Sequence, residues 1–159
     1  MYNEPRQRID SNALKAWRMS GFISASVYLI ILAILLFLTL RFDWPAWIFA
    51  IALMVGCLTS VIEIIVLPNM YYREWRYEIN EDQVDLKHGI LFRKRTTIPM
   101  VRVQHVDTKQ GPILRKYGLA TVTFSTAAGS HEIPALTERS ADEVRRQIAS
   151  LARISDEEI

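Results

Sequence analysis

Three histidines are the residues with the most versatile chemistry in this sequence, and their spacing does not predict a metal site. His88, His105 and His131 lie 17 and 26 positions apart, whereas structural zinc sites usually place ligands in pairs a few residues apart. His105 follows Arg102 and precedes Asp107, so a catalytic or pH-sensing role is open. A strand-borne histidine in a hydrogen-bond network is the favoured interpretation.

Other catalytic signatures are missing from the sequence. It contains no phosphate-binding loop and no dinucleotide glycine motif, and its serines lack the setting of a nucleophile elbow. Cys57 is the single cysteine, so neither an internal disulfide nor a cysteine metal cluster is predicted. We therefore expect no catalytic residue, no metal, no cofactor and no enzymatic activity.

Glu63 is an acidic residue inside a long apolar segment, and an ionisable group there is a functional candidate by default. It lies five residues before Pro68, about 7.5 Å along a helix axis from that point. From there it could reach the membrane interface, meet Ser24 or pair with Arg18. Glu63 is therefore a candidate intramembrane polar site, with a structural role and an ion or proton pathway both open.

The middle of the chain carries an excess of positive charge. From Lys87 to Tyr117 eight basic residues accompany one acid, Asp107, whereas the flanking segments are acidic or mixed. An anionic leaflet would attract such residues, although strand alternation would divide neighbours between two faces. The candidate contacts to a partner or to anionic lipid are Arg93, Lys94, Arg95, Arg102, Lys109, Arg115 and Lys116.

Two uncharged runs, residues 21–40 and 44–62, precede this region. Each is long enough to cross a hydrocarbon core of about 30 Å, and neither shows the polar face of a soluble helix. They predict a transmembrane hairpin with spans at 21–40 and 45–67. Four basic residues among the first twenty, against one in the loop, predict that residues 1–20 and the C-terminus are cytoplasmic. The pattern therefore predicts a protein that crosses a cell membrane twice.

Residues 69–159 change to a pattern of alternating apolar and polar residues, which is typical of half-buried strands. Short polar turns separate the segments and favour antiparallel pairing. We expect six or seven strands from this cytoplasmic domain. The segments predicted as strands are residues 75–79, 83–89, 90–99, 101–108, 120–126 and 130–135.

The end of the chain has a helical pattern instead. Ser140 with Glu143 matches a capping box. Val144, Ile148 and Leu151 then fall on one helical face. The pattern predicts an amphipathic helix of about 13–15 residues that covers the sheet.

Several short motifs between residues 89 and 135 carry a resemblance to a known family. They are Gly89-Ile90-Leu91, Ile98-Pro99, Arg102-Val103-Gln104-His105-Val106, Gln110-Gly111-Pro112, Leu114-Arg115, Tyr117-Gly118-Leu119-Ala120 and Ile133-Pro134. The run resembles the bacterial pleckstrin-homology-like (PH-like) domain of the second type, once catalogued as a domain of unknown function. With its two preceding helices, the whole chain is similar to the short YdbS-like membrane proteins of that family.

The resemblance implies a membrane α-helical hairpin plus a β-rich PH-like domain, meaning a bent barrel of about seven strands capped by a C-terminal helix. It also implies that the chain acts at the lipid bilayer of the bacterial cell (inner) membrane, beside a larger membrane protein with several related domains. The implied setting is envelope stress or resistance to membrane-active peptides. The expected function is a non-enzymatic, membrane-anchored binding or assembly module. An accessory subunit of a transporter or export complex is the alternative. Homo-oligomerisation is open, and the membrane tether and near-balanced charge argue against nucleic-acid binding.

Overall fold

The computed structural model describes residues 5–157, which form two compact units. One unit, the helical hairpin, comprises Leu14–Asn69. The other, the β-rich unit, combines the described residues before Leu14 with those from Met70 onward.

The helical hairpin consists of α1 (Asn12–Phe42) and a second helical run, Ala46–Glu74. Both are long and apolar enough to cross a membrane, and none of the most apolar stretch of either is buried within the protein. Exposed leucine, isoleucine and phenylalanine side chains on both helices would be unfavourable in water. Such surfaces are what a pair of lipid-facing helices presents.

A proline near the end of the second helical run is accommodated rather than ending it. Helix α2 (Ala46–Val61) leads into a π-helical turn (Ile62–Val66), and α3 (Leu67–Glu74) follows with Pro68 in its first turn. Proline lacks the N–H for an i→i−4 hydrogen bond, and its ring crowds the preceding turn. The π turn directly precedes α3, and the helical run continues through Pro68 to Glu74.

Seven strands lie within the described residues, in two antiparallel sheets. The first sheet has the order β1-β2-β3-β4 and the second the order β5-β6-β7, and no strand pairing joins them within residues 5–157. Six strands come from the region predicted to be β-rich. Their bounds are β2 Arg76–Ile79, β3 Gln83–His88, β4 Lys94–Pro99, β5 Val103–Lys109, β6 Leu119–Thr126 and β7 Gly129–Thr137.

Strand β1 (Gln7–Arg8) comes from the segment before the helical hairpin and was not predicted. It pairs with β2, so that Gln7 lies opposite Tyr77. The backbone N–H of Asp10 donates to the carbonyl of Ala135 at 3.1 Å, and Ile9 is buried. The chain on both sides of the helical hairpin therefore builds one β-rich unit.

Helix α5 (Glu138–Glu157) packs on β5, β6 and β7. Val144 and Ile148 of the predicted apolar face are buried, together with Ala141, whereas Leu151 of that face is half-buried. The predicted cap was wrong: the Ser140 N–H donates to the hydroxyl oxygen of Thr137 at 3.2 Å. Thr137 therefore caps the helix, since the chain turns helical three residues earlier than the Ser140 pattern indicated.

The core of the β-rich unit lies between the inner faces of its strands and α5. Period-two alternation places the inward residues, because successive strand side chains point to opposite faces. The largest fully buried side chains include Phe124, Leu86, Met100, Leu119 and Ile133. Two short elements, a 3-10 turn (Met100–Arg102) and α4 (Pro112–Lys116), connect the strands around this core.

Candidate functional site

The seven basic residues singled out from the sequence lie on three separate segments. The first three flank or begin β4, Arg102 ends the 3-10 turn, and the others flank or belong to α4. All seven residues are exposed, and Arg95 keeps 37% of its side chain exposed. The charge is therefore distributed over the surface, and the fold does not place the seven residues on one strand or loop.

Arg95 is held by a buried carboxylate on the neighbouring strand. Asp85 of β3 is 4% exposed, and its Oδ2 accepts from Arg95 Nη2 at 3.2 Å. The Thr97 hydroxyl donates to Oδ1 of the same carboxylate, and Gln83 Nε2 approaches Oδ2 at 3.4 Å. A buried carboxylate needs such donors because an unpaired charge away from water is costly. Arg95 is thus a structural partner of Asp85, a role that its position in the basic run did not predict.

The loop between β3 and β4 (residues 89–93, the β3–β4 loop) was predicted to be strand and is not. Leu91 and Phe92 in it are 87% and 89% exposed, the highest values among the exposed large apolar side chains of the described chain. Arg93 follows, 72% exposed, with its Nε 3.4 Å from Glu74 Oε2. The loop combines two adjacent, solvated apolar side chains with positive charge.

A groove of 540 Å³ lies between β5 and α5. Strand β5 pairs with β6 and is the outer strand of its sheet, so within residues 5–157 no strand pairs with its other edge. The groove is lined by Val101, Val103, Gln104 and Val106 on the strand side and by Ala149, Ala152 and Arg153 on the helix side. The sequence did not predict it, because the small residues of α5 become a groove wall only once the helix is packed.

Two of the three histidines contact buried aromatic rings. His88 stacks on Trp75 with ring centroids 4.8 Å apart, and the His131 ring lies tilted against Phe124 with centroids 5.7 Å apart. Burial lowers the pKa of His88, and the nearby Lys94 and His131 act in the same direction while Glu132 opposes them. His105, for which the sequence left a catalytic or pH-sensing role open, is exposed on β5.

Acidification is expected to destabilise the β-rich unit through His88. Its pKa in the folded chain lies below the ordinary value of 6.5, so the unfolded chain binds the proton first. The contribution of His88 to the free energy of unfolding is therefore fully present above pH 6.5. It is lost as the pH falls from 6.5 toward the lowered pKa of the folded chain. Urea unfolding of the full chain in detergent, between about pH 8 and about pH 5, measures the loss.

His88→Gln should flatten that pH profile, whereas His105→Gln, at an exposed position of β5, should preserve it. The two variants remove the same titratable group from different surroundings. A profile that His88→Gln leaves unchanged would contradict the assignment to this side chain.

Glu63 lies in the π-helical turn and contacts α1. The Tyr28 hydroxyl donates to Glu63 Oε1 at 2.9 Å, while Oε2 is buried without a hydrogen-bond partner within residues 5–157. In the described part of the chain, Glu63 has no hydrogen bond to Ser24 or Arg18, the two partners considered from the sequence. Arg18 Nη2 donates to Asn69 Oδ1 at 3.3 Å instead. An added Cβ at Gly21 would lie 3.0 Å from the Glu63 carbonyl oxygen, so glycine permits the close approach of the two helices.

Comparison with known proteins agrees with this architecture. A family model described as bacterial PH domain matches residues 19–152, which include most of both helices and all strands from β2 to β7. The chain belongs to the bacterial PH domain family. It is also similar to the UPF0699 transmembrane protein YdbS of Bacillus subtilis (strain 168), with 42% identity over 159 residues and complete coverage of both chains. No solved structure matches it.

The resemblance stated from the motifs is therefore confirmed, and the protein is a membrane protein with a bacterial PH domain. The PH domain consists of the two antiparallel sheets and α5, and all of it except β1 follows the two long apolar helices. Sequence reasoning did not identify Leu91, Phe92, Asp85 or the groove as functional candidates. Gly89, which directly follows a strand, was the one local feature of the sequence that indicated the exposed loop.

Proposed function

We propose that this protein is a non-enzymatic, membrane-anchored binding and assembly module. Its PH domain takes an extended segment of a partner membrane protein along β5, beside α5. The observation that carries the proposal is the coincidence of an unpaired strand edge with a groove of 540 Å³. In this proposal the two sheets are the walls of a bent barrel and α5 is its cap.

The edge of β5 supplies backbone hydrogen-bonding groups for such a contact. Within residues 5–157 no strand pairs with the N–H and C=O groups on the side of β5 away from β6, and an added strand could do so, as in many domains that bind extended peptides. Native edges of this length are usually covered, because they otherwise invite uncontrolled pairing. Seven residues, Val103–Lys109, are enough for a short intermolecular ladder.

The groove supplies space for side chains of the bound segment. Val103 and Val106 form its strand wall, and Ala149 and Ala152 form its helix wall. Small residues on α5 leave room that larger residues would fill. An added strand alternates its side chains, so every second one would enter the groove. The groove volume lies within the range of about 300–1,000 Å³ that is typical of ligand sites.

The pairing of β1 with β2 supports a topology in which both ends of the helical hairpin lie on one side of the bilayer. β1 precedes α1 and β2 follows α3, yet they are adjacent strands. Segments separated by a membrane could not pair. The basic residues before the first span favour the cytoplasmic face of the bacterial inner membrane as that side.

The proposed partner is a larger membrane protein with several PH-like domains, and the proposed setting is envelope stress or resistance to membrane-active peptides. An accessory subunit of a transporter or export complex is the second candidate function. It is favoured by the polar pair Tyr28–Glu63 beside a π-helical turn, because π turns and intramembrane carboxylates are frequent at functional sites.

Ala149→Trp is expected to fill the groove and to lower recovery of the partner about tenfold or more, as loss of a central anchor does at other interfaces. Recovery is measured by crosslinking the full chain in native membranes, followed by purification and quantitative mass spectrometry. Ser150→Trp is the matched control, since Ser150 is also exposed on α5 but does not line the groove.

Equal recovery of one and the same partner from both variants would contradict the groove as the binding site. Recovery of only a second copy of this chain would replace the proposed partner by self-association. If the partner is a transporter and Glu63→Leu lowers its recovery while Ala149→Trp does not, the second candidate function replaces the first.

A further inference from the structure

The β3–β4 loop is the most exposed apolar feature of the PH domain. Leu91 and Phe92 are adjacent in sequence and almost fully solvated. Single exposed apolar residues are ordinary on protein surfaces, whereas a pair presented at the end of a loop needs a reason. Aromatic and aliphatic side chains beside cations are typical of segments that enter a membrane interface.

The loop has a defined shape rather than an arbitrary one. Gly89 has φ of 115°, a conformation that other L-residues rarely adopt, and an added Cβ there would lie 2.0 Å from the carbonyl oxygen of Phe92. The backbone therefore folds closely back on itself between Gly89 and Phe92. This closure holds the two apolar side chains away from the domain core, since both remain exposed.

The charges around the loop are positive on balance. Arg93 and Lys94 follow the apolar pair and are exposed, and Glu74 offsets only part of the Arg93 charge, across 3.4 Å. Anionic headgroups would complement the two cations, while the acyl boundary would take the two apolar side chains. The same four residues would form too small a patch for a stable protein interface, which needs about 800 Å² per partner.

We propose that the β3–β4 loop inserts Leu91 and Phe92 into the anionic leaflet of the bilayer that holds the helical hairpin. The helical hairpin is covalently linked to the domain, so the bilayer that it crosses is present at high effective concentration and even a weak contact would be populated. The insertion gives the PH domain a second attachment, independent of the β5 groove. This goes beyond the proposed function, because it concerns the lipid and not the partner protein.

The test uses the full chain in vesicles. Phe92→Cys is made in a Cys57→Ser background and labelled with an environment-sensitive fluorophore, and quenchers on the lipid chains report insertion. In vesicles with about a third phosphatidylglycerol we expect a blue-shifted emission and several-fold stronger quenching than in vesicles of phosphatidylcholine alone. Raising the salt to about 1 M should reduce the difference, because the screening length falls to about 3 Å.

Ala128→Cys, in the exposed turn between β6 and β7, is the matched control and should remain unquenched in both lipids. Arg93→Glu with Lys94→Glu should lower the quenching at position 92 several-fold. Leu91→Cys provides a second probe position, and neither probe replaces a buried side chain.

Three outcomes would overturn the proposal. The label at position 92 could remain as unquenched as the label at 128, or be quenched equally with and without phosphatidylglycerol. Alternatively, its protection could appear only at high protein density in the vesicles, which would assign the loop to contacts between copies of the chain.

Discussion

Gly89→Ala is expected to destabilise the PH domain by about 2–4 kcal/mol, because a side chain at this position meets two separate conflicts. The backbone has φ of 115°, which favours glycine, and the new Cβ would lie 2.0 Å from the Phe92 carbonyl oxygen. That oxygen belongs to the backbone and cannot rotate away as a flexible side chain would. The whole β3–β4 loop must therefore shift, and with it the adjoining ends of β3 and β4.

Gly111→Ala is the matched control for this prediction. Gly111 has φ of −80°, and an added Cβ there has no neighbour within 4 Å. Gly111 is the N-cap residue of α4, where alanine is less favourable than glycine, so we expect a loss of no more than about 1 kcal/mol. Urea titration of the full chain in detergent, with pulse proteolysis to report the folded fraction of the PH domain, measures both variants. Equal midpoints for the two would contradict the role assigned to Gly89.

The sequence predicted the elements whose periodicity is long and regular. Two uncharged runs became two apolar helices, and alternation located six of the seven strands because one face of each sheet is buried. The spacing of Val144, Ile148 and Leu151 predicted the inward face of α5, of which Val144 and Ile148 are buried and Leu151 is half-buried. These signals are local and repeated, so a single substitution or irregular residue does not remove them.

The differences arise where one residue or one distant partner decides the structure. Ile90, Leu91 and Phe92 have the composition of a strand, but the turn at Gly89 leaves them outside the sheet. Thr137 replaces Ser140 as the cap of α5, and both residues have the hydroxyl that the position needs. Composition alone does not distinguish such alternatives.

The candidate site could be predicted only in part, for a related reason. Arg93 and Lys94 are exposed, as a basic contact surface requires, whereas Arg95 turns to Asp85 on the neighbouring strand. Which basic side chains meet a carboxylate depends on the strand register, here Asp85 opposite Thr97 and Lys87 opposite Arg95. The groove depends on tertiary packing of α5 on β5, which no local pattern describes.

Strand β1 has a consequence for how the PH domain is assembled. Two residues have no readable periodicity, and their partners, Arg76 and Tyr77, lie beyond the entire helical hairpin. Ile9, before α1, and Ala13, in the first turn of α1, are also buried, so the start of the described chain contributes to the core as well as to the sheet. A fragment that starts after the helical hairpin would lose this strand and these contacts. Experiments on binding and stability therefore use the full chain.

Phe124→Ala is expected to destabilise the PH domain by about 3–5 kcal/mol, the largest effect that we predict. Phe124 lies on β6, opposite Val106 of β5 and His131 of β7, and is fully buried. Truncation removes the apolar burial of the ring and leaves a cavity between the sheet and its neighbours. Domains of this size have a total free energy of unfolding of about 5–15 kcal/mol, so this loss is a large fraction of the total.

Phe92→Ala makes the same chemical change at a position that is 89% exposed, and it should alter stability by less than about 0.5 kcal/mol. The pair separates the effect of burial from the effect of losing an aromatic ring. Both are measured in the same urea titration, with the full chain in detergent, where no anionic leaflet is present. Similar losses for the two variants would contradict the assignment of Phe124 to the core. A loss at Phe92 alone would mean that the β3–β4 loop packs on the domain, and it would remove the apolar surface on which the lipid contact depends.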